Sequence, residues 1–153
     1  MSESYSKRPA RSTLALTRDG RYQVRVQTRN PDHASALELA QLPNVTFHVG
    51  HIESEDLLRE AMQGMDAVFF LANGFAIGEK AELHWSIRAF ELARQLGVKL
   101  FQFSSLDYLP NKVGYNPKFR CAHYDAKGRV SGALLLLFGL AGCYATSSVR
   151  FQE

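Results

Sequence analysis

The sequence predicts an α/β fold built on a largely parallel sheet covered by helices, and two observations carry that expectation. From Arg21 onward, short runs rich in β-branched and aromatic residues alternate with longer stretches of helical periodicity. That is the pattern of strands joined by crossover helices. One of the short runs, Asp66 to Ala72, is almost wholly apolar, as expected of a strand covered on both faces. With 153 residues, 46% hydrophobic and 22% charged, the chain has the proportions of an ordinary globular domain and enough length to bury a core.

The elements follow in order. The first clear strand is Tyr22 to Thr28, with period-two alternation. A helix from about His33 to Gln41 lies between Pro31 and Pro43, and Val45 to Val49 forms the next strand, closed by Gly50. Ser54 is placed to cap a helix whose face is Leu57, Leu58, Ala61 and Met62 and which stops at Gly64. After the apolar strand, a long helix runs from about Lys80 to Leu96. Leu83, Ile87 and Phe90 mark its face, and Gly97 ends it. Val98 to Ser104 is the next strand, Asp107 to Pro117 is a loop rich in turn formers, a helix spans about Ala122 to Leu140, and Tyr144 to Phe151 is a last strand. Thr13 to Leu16 admits two readings. It is either the end of a helix stopped by Gly20, or a strand leading into an Asp19-Gly20 hairpin.

Several function classes are excluded. The first ten residues are polar and lack an apolar core, so they are expected to be a disordered segment and not a secretory signal. The longest apolar run, Ala133 to Gly142, is too short for a span of about 20 residues, so no membrane partner is expected. Net charge is +3 with Lys and Arg scattered among Asp and Glu, which describes a solvated surface and no nucleic-acid partner. Cys121 and Cys143 have no metal-ligand spacing and are expected to be reduced thiols in a cytoplasmic protein, with no metal site.

Gly20 to Pro31 resembles the second strand and following turn of NmrA-like proteins, which are atypical short-chain dehydrogenases. Gly50 with its acidic followers, Met65 to Asn73, Leu96 to Leu106, His123 to Lys127 and Thr146 to Arg150 continue the resemblance in the same order. Together these segments mark residues 11–153 as a partial domain of that family. The resemblance implies a Rossmann-like, doubly wound parallel sheet that binds NADP or NAD. It implies an NADP-dependent oxidoreductase acting on a small-molecule substrate. The family's other branch implies a non-catalytic, NADP-sensing regulator with a protein partner, for which a nuclear location is also open.

A dinucleotide site of this kind needs a first strand, a glycine-rich turn and a helix N-terminus aimed at the pyrophosphate. No glycine precedes Gly20, so the first strand and its glycine loop are expected to be missing. In the 3-2-1-4-5-6 strand order their loss leaves two ladders open in mid-sheet, unless Thr13 to Leu16 takes the strand's place.

The resemblance also names site residues. Arg29 ends the second strand, where a guanidinium clasps the 2′-phosphate of NADP; a carboxylate there would bind the ribose of NAD. NADP is therefore favoured. Thr28 and Asn30 flank Arg29, His51 stands near the adenine, and Asn73 closes the fourth strand facing the cofactor. In the Ser and Tyr-x-x-x-Lys arrangement of short-chain dehydrogenases, Ser105 takes the serine role and Lys127 the lysine role. His123 occupies the tyrosine position. Four residues apart on a helix, His123 and Lys127 share a face, and an imidazole exchanges protons near neutral pH.

Overall fold

The computed structural model describes residues 13–18 and 20–138, with the side chains of His123, Leu137 and Phe138 outside that description. The N-terminal segment 1–10, the strand expected over Tyr144 to Phe151 and Cys143 lie outside the described residues. The chain divides into two compact units, residues 1–61 and 62–153.

The first unit holds a helical turn α1 (residues 13–17), strand β1 (Val24–Thr28), helix α2 (Ala34–Ala40), strand β2 (Val45–Val49) and most of helix α3 (Glu55–Met62). The Thr13–Leu16 segment is therefore helical, with the Thr17 hydroxyl donating back to the Thr13 carbonyl at 2.9 Å. This settles the two readings left open by the sequence: the segment does not stand in for a first strand. Gly20 follows at φ +66°, a conformation that costs a side-chain-bearing residue and not glycine.

β1 and β2 pair in parallel, Val24 opposite Val45 through Thr28 opposite Val49. His33 caps α2, its Nδ1 accepting from the Ser35 amide. Ser54 is the cap expected of α3, its Oγ 3.5 Å from the Leu57 amide nitrogen. At the other end of α3, Arg25 Nη1 donates to the carbonyls of Glu60 and Ala61, each at 3.1 Å. A cation on these terminal carbonyls suits the helix dipole.

The second unit begins with strand β3 (Ala67–Phe70) and the short helix α4 (Gly74–Ile77). Helix α5 (Glu79–Gln95), strand β4 (Leu100–Phe103), the helical turn α6 (Leu109–Lys112), a 3₁₀ turn (Pro117–Phe119) and helix α7 (Ala122–Phe138) follow. The expected loop over 107–117 thus contains a turn of helix, started by Tyr108 with Pro110 in its first turn. A proline there forfeits no hydrogen bond.

β3 and β4 pair in parallel, Val68 opposite Phe101 and Phe70 opposite Phe103. Phe70, Phe101 and Phe103 are buried. Phe101 stacks on Phe70 (5.9 Å between ring centroids) and meets the edge of Phe90 from α5 at 5.3 Å. Phe69, on the other face, is 50% exposed. The apolar run was read as a strand covered on both faces; among the described residues the covering is one-sided, with Phe70 and Phe101 buried and Phe69 exposed.

The face of α5 also differs from the sequence reading. Glu82, Ser86, Ala89 and Ala93 lie at its buried centre, and Leu83 and Ile87 flank it at intermediate exposure. The fold is Rossmann-like and incomplete. β1 and β2 match the second and third strands of the 3-2-1-4-5-6 order, and β3 and β4 match the fourth and fifth. Among the described residues the two pairs are separate sheets, with no strand in the first position.

Candidate functional site

The eight residues singled out from the sequence fall into two groups, one in each unit. In the first unit, the amide of Gly50 donates to the Thr28 carbonyl at 2.9 Å. This bond extends the β1–β2 ladder by one step and sets His51 beside the end of β1. The hydroxyl of Thr28 donates to the Asn30 carbonyl at 3.1 Å and accepts from the Asn30 amide at 3.2 Å. Asn30 in turn accepts from the Asp32 amide at 3.0 Å through its side-chain oxygen.

Two short side chains therefore tie the 28–32 turn to its own backbone. The donor of Thr28 is spent inside the turn. Arg29 is exposed at the tip and makes no hydrogen bond or ion pair with the described residues. His51 is exposed as well, and its carbonyl accepts from Gln27 Nε2 at 3.4 Å. A guanidinium unopposed among the described residues, on a braced turn at a strand's carboxyl end, is a donor that suits a phosphate monoester.

In the second unit the structure brings Asn73, Ser105 and Lys127 to the carboxyl ends of β3 and β4. Asn73 is exposed and caps α4, its Oδ1 accepting from the Phe75 amide at 3.2 Å. Lys127, on α7, is 1% exposed. Its Nζ forms an ion pair with Glu82 of α5 and donates to the Ala72 carbonyl at 2.9 Å, 5.7 Å from the centre of the Phe103 ring. Ser105 is buried, and its hydroxyl meets that of Ser131. Ser131 donates to the Lys127 carbonyl at 3.0 Å, and the Leu106 carbonyl lies 3.3 Å from Ser105 Oγ. His123 stands one turn before Lys127 on α7.

Lys127 is enclosed, and two of its three N–H donors are taken up by the Glu82 carboxylate and the Ala72 carbonyl. Ser105 is not an open donor either. Ser131 spends its proton on the Lys127 carbonyl, so the single proton of Ser105 goes to Ser131 or to Leu106.

Two of these partners, Glu82 and Ser131, were not singled out from the sequence. Ser131 was findable four residues after Lys127, on the same face of α7. Glu82 carried a fainter signal: it continues, at helical spacing, the stripe of small residues Ser86, Ala89 and Ala93, which is where a neighbouring helix approaches closely. Gly74 belongs with them, since a Cβ at that position would overlap the Glu82 carboxylate.

Beside this cluster, Arg120 Nε donates to Asp125 at 3.0 Å, and its Nη2 reaches Glu79 at 2.9 Å. The Asp125 hydrogen bond first, and the Glu79 charge second, raise the Arg120 pKa above its usual value. Arg129 bonds the Tyr108 hydroxyl at 3.3 Å and pairs with Glu79 at 3.1 Å. Both guanidiniums are opposed by carboxylates, unlike Arg29. Among the described residues no group of His, Cys, Asp and Glu could hold a metal ion, and no helix is long and apolar enough to cross a membrane.

Parallel strands with helical crossovers, and polar residues collected where strands end, define a Rossmann-type α/β protein. A family model described as the NmrA-like family matches residues 9–150, and the chain belongs to that family. Among solved structures it is similar to NmrA, a negative transcriptional regulator, in complex with NADP. The identity is 22% and the TM-score 0.70, covering 93% of this chain and 41% of that one. It is also similar to vestitone reductase from alfalfa (Medicago sativa L.), at 19% identity and TM-score 0.64, covering 88% of this chain and 50% of that one. Pen from Bacillus thuringiensis matches at 19% identity and TM-score 0.64, with 90% and 45% covered. At these identities the likeness speaks to the fold. The chain spans between two fifths and one half of the length of these proteins.

Proposed function

We propose that this chain binds NADP through the Thr28–Asn30 turn and acts as a non-catalytic regulatory protein that responds to the cofactor through a protein partner. The observation that carries this reading is the committed state of Ser105 and Lys127. Reduction of a carbonyl takes a hydride, which NADPH supplies when bound, and a proton, which the protein must deliver to the substrate oxygen. Ser105 gives its one proton to a protein oxygen, and Lys127 is 1% exposed and paired with Glu82. Neither presents a proton outward.

Arg29, exposed and unopposed, supports NADP over NAD, since phosphate recognition wants a guanidinium where ribose recognition wants a carboxylate. The mixed surface charge supports a protein partner over nucleic acid or a membrane. A cytoplasmic or nuclear place of action goes with that role.

A second reading, an NADP-dependent oxidoreductase acting on a small carbonyl substrate, is favoured by one observation. Ser105 and Lys127 do converge at the strand ends, with His123 one turn away on α7.

Calorimetric titration of the chain with NADPH and with NADH, beside NADPH consumption in the presence of aldehydes and ketones, separates the two. The expected result is saturable NADPH binding, weakened about 10- to 100-fold in Arg29→Ala by loss of a charge-assisted contact, and no consumption. Substrate-dependent consumption would replace the regulatory reading with the oxidoreductase one. Absence of saturable binding would remove both.

A further inference from the structure

We infer that the outer edge of β3 is a self-association site: β3 of a second copy of this chain pairs with it antiparallel, about a twofold axis at Phe69. The hydrogen bonds to β4 fix which groups lie on that edge. The Asp66 carbonyl accepts from the Leu100 amide at 3.1 Å, and the Phe70 carbonyl from the Ser104 amide at 3.0 Å. Along a strand in a parallel pair, the N–H and C=O of each residue point to one side, and the side alternates. Asp66, Val68 and Phe70 therefore serve β4. Ala67 and Phe69 turn their amides and carbonyls outward, where no strand pairs with them among the described residues. The side chains beside that edge are apolar and in water. Ala67 and Phe69 share the face opposite Phe70, with Leu100 next to Ala67 in register. Phe69 is 50% exposed and Leu100 39%.

The sequence favours a second copy as the occupant. From Ala67 to Gly78 the chain has no charged residue, and Ala67-Val-Phe-Phe-Leu-Ala72 has no proline or glycine. Short uncharged segments of high β-propensity pair with copies of themselves. An open edge is ordinarily blunted by a charge; β1 carries Arg25 in mid-strand, whereas β3 carries none. A twofold axis at Phe69 sets Ala67 opposite the partner's Leu71 and the two Phe69 residues opposite each other. Directly opposed side chains lie on one face, so the exposed rings meet as an aromatic pair. Asp66, held by Lys99, falls opposite the partner's Ala72, so no like charges meet. The contact is isologous and closes at two copies.

The experiment is analytical ultracentrifugation of the whole chain over a wide concentration range, on wild type, Phe69→Lys and Ala67→Pro. The expected wild-type result is a reversible monomer–dimer equilibrium. Phe69→Lys removes the ring pair and opposes two like charges; Ala67→Pro removes an outward N–H and leaves the β3–β4 ladder intact. Each should weaken dimerisation about tenfold or more, with a melt close to that of wild type. Register is read by oxidation. In this pairing Phe69→Cys puts the two substituted Cα atoms about 5.5 Å apart, within disulfide range, while Ala67→Cys leaves them about 14 Å apart. Phe69→Cys should give a dimer linked at residue 69 and Ala67→Cys should not. Wild type, with Cys121 and Cys143, is the background control.

A wild type that stays monomeric at every concentration overturns the inference, and protected amides at Ala67 and Phe69 in that monomer would mean that another segment of this chain covers the edge. A dimer that survives both edge variants also overturns it, since the contact then lies elsewhere. Equal cross-linking of the two cysteine variants overturns the twofold register, and assemblies larger than a dimer overturn its closure. Should Phe69→Lys lose its cooperative melt, the cross-linking pattern alone decides.

Discussion

The two groups of candidate residues make opposite use of the same raw material. In the turn after β1, short polar side chains are spent on the backbone so that one cation is left over: Thr28 and Asn30 brace the loop, and Arg29 stands exposed with no opposing carboxylate among the described residues. At the ends of β3 and β4 the polar groups are turned on one another. Lys127 pairs with Glu82, Ser105 meets Ser131, and Lys127 and Glu82 are enclosed. An unopposed charge in water is available to a ligand. A charge taken out of water needs its partner, because a buried ion tolerates no vacancy beside it. The first arrangement leaves a cation exposed and the second encloses one.

The largest effect expected from that contrast is at Lys127. Lys127→Met leaves the Glu82 carboxylate buried without its cation and should cost about 3–5 kcal/mol of unfolding free energy, read by urea denaturation. Adding Glu82→Leu should recover most of the loss. A Lys127→Met protein as stable as wild type would break the comparison, since it would mean that the lysine is free for chemistry.

The next effect falls on the other group and moves a different quantity. Arg29→Ala should leave stability within about 0.5 kcal/mol, as an exposed side chain without partners does, yet weaken NADPH about 10- to 100-fold. Melting and titration of the same preparation check both halves. A clear loss of stability would show that Arg29 is structural, and the two groups would no longer differ in kind.

Why the place of Arg29 after a strand was legible in the sequence and the grip on Lys127 was not follows from distance along the chain. Arg29 is defined locally: it follows a strand that alternation alone reveals, and its turn is closed by residues at most two away. The spacing of His123 and Lys127 was equally local, so it was read. What Lys127 does depends on Glu82, 45 residues earlier, on a helix whose buried face the usual rule misjudges. That rule looks for large apolar residues; it finds Phe90, which is buried, but also Leu83 and Ile87, which only flank the face. The true centre is Glu82, Ser86, Ala89 and Ala93, where small residues let helix α7 approach and a charge is buried because its partner arrives from there.

Most elements were located to within two or three residues, because periodicity is a property of each segment alone. The Thr13–Leu16 segment is too short for periodicity to choose, and the one-sided burial of β3 depends on which faces receive helices.

Close approach predicts a smaller effect. Gly128, in mid α7, faces the backbone of Tyr108, and a Cβ there would lie 2.7 Å from the Tyr108 Cα. Helix propensity favours Gly128→Ala by about 1 kcal/mol. Overpacking against backbone, which cannot swing aside as a side chain can, costs about 1–3 kcal/mol. The two partly cancel, so a net loss of roughly 1 kcal/mol is expected in the denaturation midpoint, with NADPH affinity unchanged. A stabilised variant would show that α6 gives way, and that the second unit is less rigid than this close approach implies.

The smallest effect comes from the ion pair that most resembles Lys127–Glu82 on paper and least resembles it physically. Lys99 Nζ donates to Asp66 Oδ1 at 2.6 Å, with both side chains 80% exposed. The Lys99 hydrogen bond first, and its charge second, hold the Asp66 pKa below 3.8; the same two causes raise that of Lys99 above 10.5. A depressed carboxylate contributes stability that is complete above its unfolded pKa and is lost as pH falls through its folded pKa. A raised lysine contributes stability that is complete below its unfolded pKa and is lost as pH rises through its folded pKa. The difference in melting temperature between wild type and Asp66→Asn should therefore be flat between about pH 4 and pH 10. It should vanish below and above that window, and it should shrink throughout when salt is raised, because water and ions screen an exposed pair. The penalty of Lys127→Met should barely respond to salt. If both variants proved equally salt-sensitive, the Lys127 ammonium would be solvated in solution, and the ends of β3 and β4 would be as open as the Arg29 turn.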